Sequence, residues 1–105
     1  MQLNDFIALV EPLIGGGLTD IRYHHFSYKP VLPFAAYFEV DTSFFMTDDQ
    51  TVFEDGVVRF EVYTETKDQK LEDKIQDLLQ GLPWERQPSE WLESENCYLT
   101  VYYIY

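Results

Sequence analysis

The residues most able to do chemistry in this chain are two adjacent histidines, His24 and His25, within the stretch RYHHFSYKPVLPF. Imidazole side chains act as general bases and as metal ligands. The surrounding segment DIRYHHF is typical of a β-strand, and adjacent side chains of a strand point to opposite faces. Because the ligands of a metal ion must converge on one point, we interpret the pair as part of a sheet wall and predict no metal site.

Other patterns associated with catalysis or cofactor binding are weak. The chain has no G-x-S-x-G, no P-loop and no G-x-G-x-x-G pattern. Its single cysteine, Cys97, opens a predicted strand without a nearby base, so we interpret it as a buried structural thiol. We therefore predict no catalytic residue, no cofactor and no enzymatic activity. A small enzyme with a carboxylate site remains an alternative, because the chain carries nineteen acidic residues.

The net charge of −12 limits the classes of partner that the chain can bind. Proteins gain most of their affinity for nucleic acid by neutralising phosphates with Lys and Arg, so we expect this chain to bind neither DNA nor RNA. Anionic membrane surfaces are disfavoured for the same reason. The sequence has no apolar run of about 18 residues that would span a bilayer, and its first residues lack the basic start of a signal peptide. We expect a soluble cytoplasmic protein.

The apolar periodicity predicts an α+β fold in one domain over residues 1–105. Apolar residues recur at helical spacing in LNDFIALVEPLI and in KDQKLEDKIQDLL, where we expect Thr66 to cap the helix. DIRYHHF, PFAAYFEV, a hairpin around Thr47-Asp48-Asp49 and GVVRFEVYT indicate strands between the helices, and CYLTVYYIY indicates a strand at the end. The predicted order is α-β-β-β-β-α-β-β, a mostly antiparallel sheet with two helices packed on one face.

The last predicted strand, CYLTVYYIY, is apolar or aromatic on both of its alternating faces. Such a strand is expected to be covered on both sides, by helix on one and by a neighbouring subunit on the other. The two tryptophans could cap the edge of the sheet or anchor a partner, since tryptophan is enriched at the energetic centres of interfaces, and an acidic turn could reach a neighbour. The candidate interface residues are Tyr98, Tyr102 and Ile104 in the last strand, Trp84 and Trp91 beside Pro88, and Asp48 and Asp49 in the hairpin turn.

Four segments in a fixed order resemble a family of small proteins from phages and prophages of Gram-positive bacteria. They are YHHF, LPFAAYF, EVYT leading into KDQKLEDKIQDLL, and WLESENCYLTVYYIY, and together they span roughly residues 20 to 105. None of these motifs is catalytic. Members of this family commonly lie in the morphogenesis gene block between the head-tail connector and the major tail protein.

The resemblance implies a structural tail terminator or tail completion protein of a siphophage. Such proteins form a ring, hexameric in terminators, that caps the head-proximal end of the tail tube and joins it to the head connector. The implied partners are further copies of the chain, the tail tube and the connector. The implied locations are the host cytoplasm during assembly and then the virion tail. The resemblance defines no binding residues.

The residues themselves leave a second class open, an acidic DNA-mimic inhibitor that binds a host protein. Such a protein needs carboxylates spaced like phosphates across one face. Lys70, Lys74 and Arg86 stand close to acidic residues in the sequence, and local pairing with them would weaken this alternative.

Overall fold

The computed structural model describes residues 1–40 and 56–105 of the chain. Helix α1 spans Leu3–Val10 and continues into a short 3₁₀ turn at Glu11–Leu13, and helix α2 spans Gln69–Leu79. The strands in chain order are β1 (Ile21–Tyr23), β2 (Phe34–Val40), β3 (Val57–Thr64), β4 (Trp84–Arg86), β5 (Glu90–Leu92) and β6 (Cys97–Ile104).

These strands form one mixed sheet in the order β1-β2-β3-β6-β4, and β5 also pairs with β6, on the same side as β4. Strands β1 and β2 run parallel, and the other pairs are antiparallel. The register places Phe60 of β3 opposite Tyr37 of β2 on one side and Tyr102 of β6 on the other. Since side chains alternate between the two faces of a sheet, this register decides which residues share a face.

Both helices pack on the same face of the sheet. Asp68 caps α2 by accepting a hydrogen bond from the backbone N–H of Leu71 at 3.1 Å, so the cap predicted at Thr66 is wrong. The core residues that these elements bury are Phe6, Val10, Leu13, Leu18, Ile21, Ala35, Val58, Phe60, Val62, Leu71, Ile75, Leu79, Tyr102 and Ile104. The predicted α+β fold, with a mostly antiparallel sheet and two helices on one face, is confirmed.

The order of the described elements is α-β-β-β-α-β-β-β. The predicted hairpin with Asp48 and Asp49 at its turn lies outside the described residues. After α2 the segment PWERQPSEWLESE, for which the sequence predicts one or two short edge strands, forms two, so three strands follow the helix where the predicted order has two. Pro88 lacks an N–H and cannot continue a ladder, so the segment before β6 is divided into two strands of three residues each. In the described part of the chain, neither helix has the length and apolar character needed to cross a bilayer.

Candidate functional site

The sheet face opposite the two helices, called the open face below, is the candidate site. It carries the side chains that alternate with the core residues. They are Phe34, Ala36 and Phe38 of β2, Val57, Arg59, Glu61 and Tyr63 of β3, and Cys97, Leu99, Val101 and Tyr103 of β6. Neither α1 nor α2 covers these side chains, since both helices pack on the other face.

An ion pair between Arg59 and Glu61 crosses the middle of the open face. The guanidinium of Arg59 lies 2.9 Å from Glu61 Oε2 and also donates a hydrogen bond of 2.7 Å to the hydroxyl of Tyr103. It lies over the rings of Phe38 and Tyr103, with centroid distances of 5.9 and 5.7 Å, within range of a cation–π attraction. Burial lowers the pKa of Arg59, but its contacts with Glu61 outweigh burial and raise the pKa above its ordinary value. The group is therefore a permanent cation on an acidic protein.

Tyr63 extends the polar contacts of the Arg59–Glu61 ion pair toward β2. Its ring stacks on Phe34 with centroids 4.9 Å apart, and its hydroxyl donates a hydrogen bond of 3.2 Å to Glu61 Oε1. Burial, followed by the nearby Glu61 carboxylate, raises the pKa of Tyr63 to about 12. The phenol therefore stays neutral at all physiological pH values and keeps donating to Glu61.

This raised pKa predicts a loss of stability at alkaline pH. Between the ordinary pKa of 10.0 and the folded value of about 12, Tyr63 releases its proton in the unfolded chain and keeps it in the folded one. The unfolded state then binds fewer protons, so the free energy of unfolding should fall as pH rises through this window. Urea denaturation at a series of pH values measures the fall.

Tyr63→Phe is expected to make the alkaline loss of stability shallower. Tyr28→Phe is the control, because it removes a phenol from a side chain that is 61% exposed and leaves the Tyr63–Glu61 contact in place. An equally steep loss in the Tyr63→Phe variant and in the unaltered protein would contradict the prediction.

Two open grooves flank the Arg59–Glu61 pair. The first, the loop groove, has a volume of about 490 Å³ and lies between the segment 24–30 and the sheet. The second, the edge groove, has a volume of about 500 Å³ and lies beside β4 and β5. Glu61 lines the first and Arg59 the second, so the ion pair is the wall between them. Both volumes fall within the range of about 300–1,000 Å³ that is usual for binding sites.

The loop groove is roofed by the connection between β1 and β2. Lys29 anchors this loop by donating a hydrogen bond of 2.7 Å to the backbone carbonyl of Glu95, close to the start of β6. Phe26 packs edge-on against Phe34 with centroids 5.0 Å apart. Cys97 lines the groove and is buried, as predicted, and burial raises the pKa of its thiol. A protonated thiol is a poor nucleophile, so this environment does not activate Cys97.

The edge groove has an aliphatic floor and an acidic rim. Its floor is formed by Leu99 and Val101, and its rim includes Glu85 and Glu90. The hydroxyl of Tyr105 donates a hydrogen bond of 2.6 Å to Glu85, and burial together with this carboxylate raises the pKa of Tyr105 to about 12. An apolar floor with charges at the rim is the usual composition of a protein–protein contact.

The two histidines lie at the loop groove, and their predicted arrangement is wrong. Strand β1 ends at Tyr23, and His24 has a φ angle of 70°, so the pair belongs to the loop. The Nδ1 atoms of His24 and His25 are only 2.9 Å apart instead of lying on opposite faces. The physical reason is the parallel pairing of β1 with β2, because the chain must leave the sheet early to return to the start of the next strand.

Asp48 and Asp49 lie outside the described residues, and the other predicted interface residues fall into two groups. Tyr102 and Ile104 are completely buried in the core beneath the helices, so the prediction that they contact a neighbour is wrong. Trp84 packs on the same core, with its ring 6.0 Å from Tyr102. Tyr98 and Trp91 contact each other at 4.9 Å at the edge of the sheet, and Trp91 remains 43% exposed.

The residues missed by sequence reasoning are on the other face of the same strand. Leu99, Val101 and Tyr103 alternate with Tyr98, Tyr102 and Ile104, and both sets are apolar or aromatic. The signal that could have found them is in β3, where Arg59 and Glu61 alternate with three core residues. In the strand that pairs with β3, the side chains that lie beside Arg59 and Glu61 must point to the same face of the sheet as these two residues.

Among residues 1–40 and 56–105, no three or more His, Cys, Asp or Glu side chains cluster in a way that could hold a metal ion. Comparisons of the chain with protein-family models, with curated proteins and with solved structures find no match.

Proposed function

We propose that this chain is a structural phage protein of the tail terminator or tail completion class. It would form a ring at the head-proximal end of the tail tube and join the tube to the head connector. The observation that carries the proposal is the open face, with its two grooves separated by the Arg59–Glu61 pair. A ring subunit must contact two neighbours, and grooves with aromatic and aliphatic walls are suited to receive segments of them.

Exposed aromatic side chains support contact with a protein partner. Tyr28 on the loop is 61% exposed, Tyr23 at the end of β1 is 46% exposed, and Trp91 in β5 is 43% exposed. Tyrosine and tryptophan are enriched among the residues that contribute most to binding. Tyr23 in β1 and Trp91 in β5 lie at opposite edges of the sheet. This placement agrees with a subunit that has one neighbour at each edge.

The acidic composition agrees with a passage for DNA. The net charge is −12, and the outer side of α2 exposes Asp73 and Asp77. Negative side chains around a channel repel the phosphate backbone, and this repulsion is screened beyond about 10 Å at ordinary salt. A ring of such subunits would let DNA pass without binding it.

The rival proposal, a DNA-mimic inhibitor, fits the described carboxylates less well. A mimic needs free carboxylates in phosphate-like rows, whereas several acidic side chains here contact a cation, a hydroxyl or an indole N–H of the same chain. They are Asp20, Glu39, Glu61, Glu72, Glu85, Glu93 and Glu95. Capture of a host DNA-binding protein that duplex DNA then displaces would favour the rival.

The test of the proposal is the absolute mass in solution, measured by light scattering after size exclusion over a wide concentration range. We expect a mass near six subunits at high concentration and rings in negative stain. Glu90→Arg, at the exposed rim of the edge groove, should raise the concentration needed for assembly by about tenfold, equivalent to about 1.4 kcal/mol.

Glu65→Arg is the matched control. It makes the same change of charge at an exposed position in the turn before α2, outside both grooves. We expect it to assemble like the unaltered protein. A monomer at every concentration would count against the ring. Equal impairment by both variants would mean that net charge governs assembly, not contact through the edge groove.

A further inference from the structure

The imidazole rings of His24 and His25 contact each other at the loop groove. Their Nδ1 atoms lie 2.9 Å apart, and the ring planes are nearly perpendicular at 83°. At this separation the Nδ1–H of one ring donates a hydrogen bond to the Nδ1 lone pair of the other. Both side chains are exposed, so the pair is accessible from solvent.

The backbone holds this arrangement in place. The N–H of His24 donates to the carbonyl of Tyr37 at 2.8 Å, and the N–H of His25 donates to the carbonyl of Tyr23 at 2.8 Å. His24 has a φ angle of 70°, which is uncommon for a residue other than glycine. This left-handed conformation turns the second ring back toward the first. Hydrogen bonds to strand residues therefore hold the backbone of the two histidines in this conformation.

The distance between the two nitrogens fits one coordination geometry better than another. Two nitrogens 2.9 Å apart, each about 2.1 Å from a shared metal ion, subtend roughly 90° at that ion. This is the angle between neighbouring ligands in square-planar, tetragonal or octahedral coordination. A tetrahedral ion would need the nitrogens roughly 3.4 Å apart at the same bond length. Tetragonal coordination by nitrogen and oxygen is preferred by Cu²⁺ and Ni²⁺.

We propose that His24 and His25 form a bidentate site for Cu²⁺ or Ni²⁺, bound through both Nδ1 atoms. The hydrogen shared between the rings moves to an Nε2 atom, and both imidazoles then coordinate in their neutral form. No third His, Cys, Asp or Glu ligand joins them among the described residues, so water occupies the other positions. This site does not depend on the proposed role in the tail.

The experiment is a calorimetric titration of tag-free protein with copper, nickel and zinc chlorides in separate runs. We expect one equivalent of copper and one of nickel to bind, and nickel to bind more tightly than zinc. His24→Asn removes one imidazole and keeps a residue that tolerates the left-handed backbone. His25→Asn tests the other ring independently. Each variant should bind roughly 100-fold more weakly, because a chelate becomes a single ligand.

The control variant is Ser27→Ala, at an exposed position of the same loop and without a change of imidazole, and we expect it to bind like the unaltered protein. Electron spin resonance of the copper complex should show two equatorial nitrogens, reduced to one in each Asn variant. One-equivalent binding that survives in the double Asn variant would overturn the proposal. So would tighter binding of zinc than of nickel, or the lack of copper binding by the unaltered protein.

Discussion

Replacing Phe60 by alanine is expected to lower the free energy of unfolding by about 3–5 kcal/mol. Phe60 is fully buried in the middle of β3, between the helices and the sheet. Its ring contacts Phe6 of α1 edge-on at 5.1 Å and Tyr102 of β6 at 6.4 Å. The substitution therefore removes contacts to a helix and to the neighbouring strand at once, and leaves a cavity that the close-packed core cannot fill.

Urea denaturation at 25 °C measures this effect, with unchanged m-values as the sign that the variant unfolds from the same compact state. Small domains have a total stability of about 5–15 kcal/mol, so the loss is a large part of it. Phe60→Leu should lose less, about 1–2 kcal/mol. Tyr28→Ala, at a position 61% exposed, should change stability by less than about 0.5 kcal/mol. Equal losses at Phe60 and Tyr28 would contradict the assigned core.

The second large effect is expected at the buried ion pair between Glu72 of α2 and Arg86 of β4. Their side chains meet at 2.6 Å, and only 11% of the Glu72 side chain and 25% of the Arg86 side chain are exposed. Arg86 also donates a hydrogen bond of 3.0 Å to Ser89, which shares a hydrogen bond of 2.7 Å with Thr100 of β6. This network connects α2 to the strands that form the edge groove.

Arg86→Met should lower the free energy of unfolding by about 3 kcal/mol, because it leaves the buried carboxylate without its closest cation. The loss stays at the low end of the range for buried pairs, since Lys67 still lies 3.0 Å from Glu72. Lys67→Met is the control. Its side chain is 61% exposed, and exposed ion pairs contribute about 0–1 kcal/mol.

A double-mutant cycle that combines Arg86→Met with Glu72→Leu measures the coupling free energy between the two side chains. Once both partners are apolar no buried charge remains, so the double variant should recover much of the loss of Arg86→Met. Strictly additive losses in urea denaturation would mean that the two side chains are not coupled. If the double variant is as stable as the unaltered protein, the pair specifies the position of β4 without adding net stability.

Most of the secondary structure could be predicted because its signals are local. Leu71, Ile75 and Leu79 recur at helical spacing and are all buried on the sheet. Val58, Phe60 and Val62 alternate with Arg59 and Glu61, and the first three face the helices. Such patterns depend on the geometry of a single helix or strand, so they give the α+β class without knowledge of what lies opposite.

The candidate site could not be predicted from local sequence patterns, because it depends on which strands pair with each other. Both faces of β6 are apolar or aromatic, so the residue types do not tell which face the helices cover. Only the pairing of β3 with β6 assigns Tyr102 and Ile104 to the core and Leu99 and Val101 to the open face. The two strands of the pair are separated in sequence by α2, β4 and β5, and no short-range pattern contains that register.

The sequence by itself determined the two helices, the principal strands, the buried Cys97 and the acidic surface, because each follows from side-chain type and spacing along the chain. The tertiary structure alone decided the course of the chain at His24, where parallel pairing of β1 with β2 ends the strand and brings two imidazoles together. It also decided the wall between the grooves, because Arg59 and Glu61 meet there with Phe38, Tyr63 and Tyr103 from three adjacent strands. Contacts between strands form only when distant segments pack, and local chemistry cannot specify them in advance.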